Sequence, residues 1–253
     1  MIKRLAWDSG FFGYEVGMAQ VECDFQLDQF LMEAQKFQLV YLYSKDHFTY
    51  LPDEIMHIGT KVTFQKSIAG NGIPFQFPIF VEGDQIEMEG IYEFMEGDFS
   101  PNNGRDMNMN SSVYEALMDL ALSSGKFSHF KLDNRLKNNE FERLYIQWIN
   151  NAVSGKNKVL LYIKSGKIGG LITLALTQKY GRIGLLAISE ELRGIGIGSQ
   201  LIQAALETAG QARISNLEVG TQKANLPAMA LYQSNGFRLT EEREIYHYTC
   251  FKN

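Results

Sequence analysis

The chain has 253 residues, 45% hydrophobic and 21% charged, with a formal net charge of -5; this length suits one large domain or two small ones, and the composition is ordinary for a globular protein. The acidic balance excludes a general nucleic-acid binder but not a small anionic ligand, which needs only a local positive site. No apolar run is long enough for a bilayer, the start MIKRLAWDSGFFG lacks a secretory core, and Cys23 and Cys250 match no metal spacing, so a cytoplasmic protein with free thiols and no membrane contact is expected.

From Met1 to about Lys66 strand-like and helix-like pieces alternate. VGMAQVEC reads as a strand, and FQLDQFLMEAQKFQ has apolar residues at helical spacing. LVYLYSK and GTKVTFQK are short, β-branched and aromatic, as strands tend to be. These pieces predict a small α/β unit, residues 1–80, closed by the Gly- and Pro-containing connection SIAGNGIPFQFP. A larger unit, residues 81–253, begins with a strand in DQIEMEGIYEFM and a loop in MEGDFSPNNGRDMNMN. SSVYEALMDLALSSG reads as a helix with a serine cap and Gly125 at its end. EFERLYIQWINNAV reads as a second helix, with Phe141, Leu144, Tyr145, Trp148 and Ile149 on one face. KVLLYIKSGKIGGLITLALTQKYGRIGLLAIS is three apolar runs broken by SGK and KYG, the pattern of an antiparallel meander. Helix, strand and helix follow in SQLIQAALETAGQAR, SNLEVGT and NLPAMALYQSNG. GFRLTEEREIYHYTCF reads as a terminal hairpin whose edge a second chain could pair with, making a homodimer.

Between the meander and the next helix stands Arg193-Gly194-Ile195-Gly196-Ile197-Gly198-Ser199. A helix N-terminus has free backbone N–H groups and the positive end of its macrodipole. Glycines permit positive φ before it and keep side chains away from an approaching phosphate. The arrangement suits a diphosphate, with Arg193 adding charge; the alternative is a glycine-rich turn that only packs tightly. The spacing is not that of the dinucleotide fingerprint, and no Lys-Ser or Lys-Thr pair follows to make a P-loop. Further on, LEVGTQKANLPAMALYQSNGF carries a strand, Asn225, a short helix with Tyr232, and a final Gly-Phe.

The order strand, R-x-x-G-x-G, helix, strand, N-x-x-A-x-x-x-Y-x-x-x-G-F resembles the GCN5-related N-acetyltransferases (GNAT). SHFKLDNRLKNNEFERLYIQWINNAVSG, RIGLLAIS and the LEVGT segment also resemble that family's dTDP-fucosamine acetyltransferase group, as does the opening LAWDSGFFG. The resemblance implies an α/β (α+β) GNAT fold, a mixed, mostly antiparallel sheet flanked by helices, with a smaller N-terminal domain. It implies transfer of acetyl from acetyl-CoA, in a ternary complex, to the amine of a dTDP-linked 4-amino-4,6-dideoxygalactose. The rivals are a protein or peptide N-terminus or small amine as acceptor, and a non-catalytic acyl-CoA sensor. Residues before the core count against the first, and a retained proton donor counts against the second.

Under this resemblance Leu186, Ala187 and Ile188 pair through their backbone with the pantetheine arm, and one N–H meets the thioester oxygen. Arg193 to Ser199, including Ile195 and Ile197, hold the pyrophosphate. Tyr232 donates to the leaving thiolate, or is a core aromatic. Asn225 bonds the CoA arm, or caps its helix, or does both. Candidates for the base are Glu218, His129 and Asp8. Phe11 and Phe12 pack thymine or sugar, or staple the two units together. His129, Phe130 and Arg135 close over the acceptor, with Arg135 on a phosphate; a structural histidine is the alternative at 129. No metal site is expected from the four histidines.

Overall fold

The computed structural model describes residues 1–22, 25–68, 77–80, 89–94, 111–178 and 180–251. The loop expected in MEGDFSPNNGRDMNMN and most of the connection SIAGNGIPFQFP lie outside them. The N-terminal pieces form β1 (Lys3–Arg4), α1 (Ala6–Phe12), β2 (Val16–Val21), α2 (Leu27–Ala34), β3 (Leu39–Ser44) and β4 (Ile55–Ser67). Next come β5 (Ile79–Phe80), β6 (Gly90–Phe94), α3 (Ser111–Ser124), α4 (His129–Leu132) and α5 (Glu140–Asn151). The meander is β7 (Lys158–Lys164), β8 (Lys167–Leu176) and β9 (Gly181–Ile188), followed by α6 (Ile197–Gln211), β10 (Asn216–Gln222), α7 (Leu226–Ser234) and β11 (Arg238–Thr249).

Local chemistry accounts for several of these boundaries. Gly13 stops α1 at φ 83°, its N–H bonding to Ser9 O, the left-handed stop that glycine makes without strain. Ser165 and Gly166 join β7 to β8 with φ of 50° and 72°, the two positive values a tight hairpin turn needs. Gly125, expected as a left-handed stop, is not among the positive-φ residues. It is glycine because a Cβ there would lie 2.4 Å from the Tyr145 ring. On α5, Phe141, Leu144, Tyr145 and Ile149 are buried, whereas Trp148 is 37% exposed.

All the strands share one mixed sheet, in the order β1-β2-β3-β11-β4-β10-β9-β8-β7-β6-β5. Strands on both sides of the boundary expected near residue 80 therefore belong to the same sheet. The expected C-terminal hairpin is instead one long strand. β11 runs antiparallel between β3 and β4, with register shifts against β4 near Thr240 and between Ile245 and Tyr246. With partners on both sides, it offers no edge to a second chain, which removes the reason for expecting a dimer there.

Helices cover both faces. Val159, Leu161 and Ile163 of β7 join Leu117 of α3 and Leu144 of α5 in one core. Leu160 and Tyr162 turn the other way, to Leu201 and Ala205 of α6 and Tyr232 of α7. This alternation is the period-two pattern of a strand covered on both sides. A third core packs α2 on β3 and β11 through Phe30, Leu42 and Tyr246.

Candidate active site

The site begins with a fault in the sheet. β8 and β9 pair regularly until Thr173, opposite which β9 carries two residues, Gly184 and Leu185. The Leu185 N–H donates to Thr173 Oγ1 at 2.8 Å, which satisfies an amide the ladder has dropped. Such a bulge bends the strand and reverses its facing. Ile183 accordingly packs in the α6 core, while Leu185 and Ala187 pack in the α3–α5 core.

The bend separates β9 from β10. Their parallel pairing covers only Gly181–Ile183 against Leu217–Val219, although β9 runs on to Ile188 and β10 to Gln222. The edge of β9 beyond the bulge is thus left facing a cleft of about 990 Å³. Leu186, Ala187 and Ile188 line it, as do Arg193, Gly194, Gly196 to Ser199, Asn225 and Tyr232.

At the mouth, Gly194 has φ 81° and Gly196, the N-cap of α6, has φ 92°. A Cβ at either would meet nothing within 4 Å. No side chain caps α6, so its first N–H groups are free to meet an anion. Gly198 has a different reason, since its Cβ would come within 3.0 Å of Leu231 on α7 and 3.4 Å of Ile188. The tight-packing alternative thus holds at Gly198, whereas Gly194 and Gly196 leave open space before the helix. Ile197 is buried beneath the turn, and Ile195 is exposed. Arg193 is tied to the turn itself, its Nε donating to Ile188 O at 3.0 Å and its terminal nitrogens bonding Glu190 and Ser123.

Tyr232 stands on the opposite wall, 5% exposed, between Phe64 and Phe237 with ring centroids 5.9 and 6.0 Å away. Burial raises its phenol above the ordinary tyrosine range, which keeps the proton on Oη at neutral pH. Asn225 caps α7 by accepting from Ala228 N–H at 3.3 Å, and it also lines the cleft. Its neighbour Pro227 supplies the preset φ of a first helical turn.

The geometry agrees with the comparisons. Residues 114–237 match the family model described as Acetyltransferase (GNAT) family. This stretch is a GNAT acetyltransferase domain. The chain is 39% identical over 98 residues to dTDP-fucosamine acetyltransferase of Escherichia coli O6:H1, a match covering 37% of this chain and 41% of that protein. It is 25% identical over 135 residues to Spore coat polysaccharide biosynthesis protein SpsD of Bacillus subtilis, covering 53% and 46%. Both matches thus span less than half the length of the relative. A GCN5-related N-acetyltransferase from Sphaerobacter thermophilus shares the fold, with TM-score 0.51 and 14% identity over 88% of this chain and 65% of that one. The β4 and β11 strands lie outside the matched GNAT segment, yet β4 pairs with its β10 along seven residues, Asn216 to Gln222.

The expected acceptor-side residues divide. His129 and Phe130 line the cleft of the GNAT domain. Arg135 is not among the lining residues; its donors go to Asp133, Glu54 O and His247 O, so it serves the architecture rather than a phosphate. Phe11 and Phe12 are also away from the cleft. Phe12 is buried against Phe130 with centroids 6.0 Å apart, and Phe11 stacks on Trp7 at 4.9 Å, the arrangement of the stapling alternative. Of the other base candidates, Glu218 lines the cleft but accepts from Arg182 at 3.0 Å and from Gln65 at 3.2 Å. Asp8 lies near Tyr41 Oη at 3.5 Å and does not line the cleft.

Several cleft residues carry no signal in the sequence. Trp148 and Lys156 line the α5 side, and Lys61 of β4 enters from the N-terminal strands. Burial, then the Arg182 charge, holds the Lys61 ammonium below its usual value. Thr173, which makes the bulge, reads as one more β-branched residue in a strand. Outside the cleft, His47, His57 and Glu244 gather with their ligand-type atoms within 4.8 Å of one another, a meeting of loop, β4 and β11 that spacing does not announce.

Proposed function

We propose that the protein is an acetyl-CoA-dependent N-acetyltransferase whose acceptor is the amine of a nucleotide-linked amino-deoxy sugar, of the dTDP-4-amino-4,6-dideoxy class. The observation that carries this reading is the opening between β9 and β10, with an uncapped helix N-terminus at its mouth and Tyr232 on its wall. Acetyl-CoA supplies an activated thioester and a diphosphate handle. The glycine turn and the first N–H groups of α6 would hold the diphosphate. Backbone groups along Leu186 to Ile188 would align the acyl arm as an added strand and give a donor for the thioester oxygen. Tyr232, kept protonated by burial, would donate to sulfur as the C–S bond breaks.

The sugar class rests on the partial likeness to the Escherichia coli enzyme and on the polysaccharide relative in Bacillus subtilis. The cleft suits a polar acceptor, for Lys61, Lys156 and Arg182 stand along it. The test is to mix the protein with acetyl-CoA and a panel of dTDP- and UDP-amino sugars, amines and peptides, and follow free thiol. Release with a dTDP-4-amino sugar alone supports the reading. Release only with peptides or simple amines moves the acceptor to another class, and acetyl-CoA binding without release to any acceptor indicates a sensor.

A further inference from the structure

Behind the cleft wall lies a chain of side chains that neither the glycine turn nor Tyr232 requires. His129 Nδ1 is 2.8 Å from His247 Nε2, and His247 Nδ1 is 2.7 Å from Asp133 Oδ2. Arg135 grips the same carboxylate through Nε and a terminal nitrogen, both at 2.9 Å. His247 and the Asp133 side chain are fully buried, and His129 lines the cleft. The three residues come from α4, the loop after it and β11. Among the described residues His129 Nε2 has no hydrogen-bond partner.

The protons in this chain can be placed by elimination. Burial opposes charge on Asp133, but the hydrogen bonds from His247 and Arg135 outweigh it and hold the carboxyl far below its usual range. A carboxylate only accepts, so His247 Nδ1 carries a hydrogen. Burial lowers the His247 imidazole below its ordinary value despite Asp133, so its Nε2 is bare and accepts. His129 Nδ1 must then be the donor, and its Nε2 carries a lone pair. Burial first, then the neighbouring His247 and Lys61, also keeps His129 neutral. The other groups facing the pair are Tyr41, 5.5 and 5.4 Å from the two rings, and Asp8 behind it.

We propose that His129 Nε2 accepts the proton of the attacking amine, with His247 and Asp133 as positioning residues that fix its tautomer. The proposal rests on the acetyl-transfer reading above. The amine nitrogen forms the N–C bond and gives one proton to His129 Nε2, while the C–S bond breaks and sulfur takes the Tyr232 proton. Solvent removes the proton from His129 and restores the one on Tyr232. The hydrogen bond from His129 Nδ1 to His247, backed by buried Asp133, stabilises the imidazolium that forms, as an orienting carboxylate does for a catalytic histidine elsewhere.

The test reads tautomer and rate separately. In protein labelled with ¹⁵N-histidine at neutral pH, NMR should show His129 and His247 each protonated at Nδ1 alone. Asp133→Asn turns an amide donor toward His247, which should invert both rings and put the hydrogen on His129 Nε2. An Nε2–H or imidazolium form of His129 in the unsubstituted protein overturns the proposal. With acetyl-CoA and dTDP-4-amino-4,6-dideoxygalactose, His129→Gln and Asp133→Asn should each lower kcat roughly 10²-fold, the usual share of general base catalysis, with KM for acetyl-CoA unchanged. A His129→Gln variant within threefold of the parent also overturns it. If Asp133→Asn does not fold, His129→Gln, on the cleft wall, still decides. If the parent protein leaves this sugar untouched, the substrate reading fails and the NMR result stands by itself.

Discussion

Thr173→Val asks whether one hydroxyl holds the cleft open. The substitution keeps the volume and β-branching of a residue that is 2% exposed and removes only the acceptor 2.8 Å from the Leu185 N–H. Leu185 is buried as well, and although both residues line the cleft, the valine methyl fills the place of the hydroxyl. A buried amide left unpaired costs roughly 1–3 kcal/mol, which for a chain of this size lowers Tm by about 2–4 °C per kcal/mol. The penalty falls on the bulge, which can recover the bond only by returning to regular pairing and drawing β9 back beside β10. Stability and CoA binding should therefore fall together. Urea unfolding followed by tryptophan fluorescence reports the first, and calorimetric titration with CoA the second. Thr173→Ser keeps the acceptor and loses only a methyl group, so it should bind CoA normally. Equal unfolding free energy and CoA affinity for the Val and Ser variants would refute the role given to the hydroxyl.

Gly196→Ala and Gly198→Ala should fail for different reasons: the first forces a side chain to φ 92° with nothing for its Cβ to strike, a strain of roughly 1–2 kcal/mol, and weakens CoA binding, while the second presses on Leu231 and should loosen α7, seen as faster amide exchange there. Tyr232→Phe removes a hydroxyl with no partner among the described residues, so Tm should hold while kcat falls roughly 10²-fold, the share expected of a proton donor; unchanged turnover would take Tyr232 out of the mechanism. Stability should decline on acidification in two stages measured by urea titrations across pH. The His129 and His247 imidazoles are depressed on folding, so below about pH 6.5 the unfolded chain binds more protons and stability drops by up to about 1.4 kcal/mol per pH unit for each ring. Asp133, also depressed, adds its loss only below about pH 4, and a flat profile between pH 7 and 5 would contradict the buried network.

Much of the second half is legible because local signals and tertiary pairing agree there. SGK marks a real turn, the apolar runs on either side of it are buried, and the glycine run stands where a helix starts. β11 misleads because its first five residues, Arg238 to Glu242, are exposed while Tyr246 to Tyr248 are buried. A charged run between two β-rich ends imitates a hairpin turn, although it lacks the Asn-Gly or Asp-Gly such a turn prefers. The candidate site is legible at Gly194 and Gly196, whose positive φ precedes a helix, and at Tyr232, which sits in a recognisable helix; all three line the cleft. It is not legible at Thr173, whose role depends on what β9 does opposite it. His129 and Asp133 lie four residues apart in SHFKLD, but His247, which joins them, is 114 residues beyond Asp133. Phe11 and Arg135 show the reverse case, residues chemically suited to a ligand whose contacts are taken up within the protein.

The place of β11 has a consequence for how the molecule is made. β3 and β4 are successive in sequence but are not neighbours in the sheet; the strand between them supplies Glu244, which meets Thr60 across 184 residues. During synthesis β3 and β4 therefore emerge as open edges and stay so until nearly all the strands have been translated. Pairings so distant in sequence are slow to form, and edges left waiting are prone to aggregate. The N-terminal strands should be the last to gain protection from hydrogen exchange on refolding, and a chain arrested before Arg238 should hold α6 and the meander in place while leaving β3 open to a chaperone.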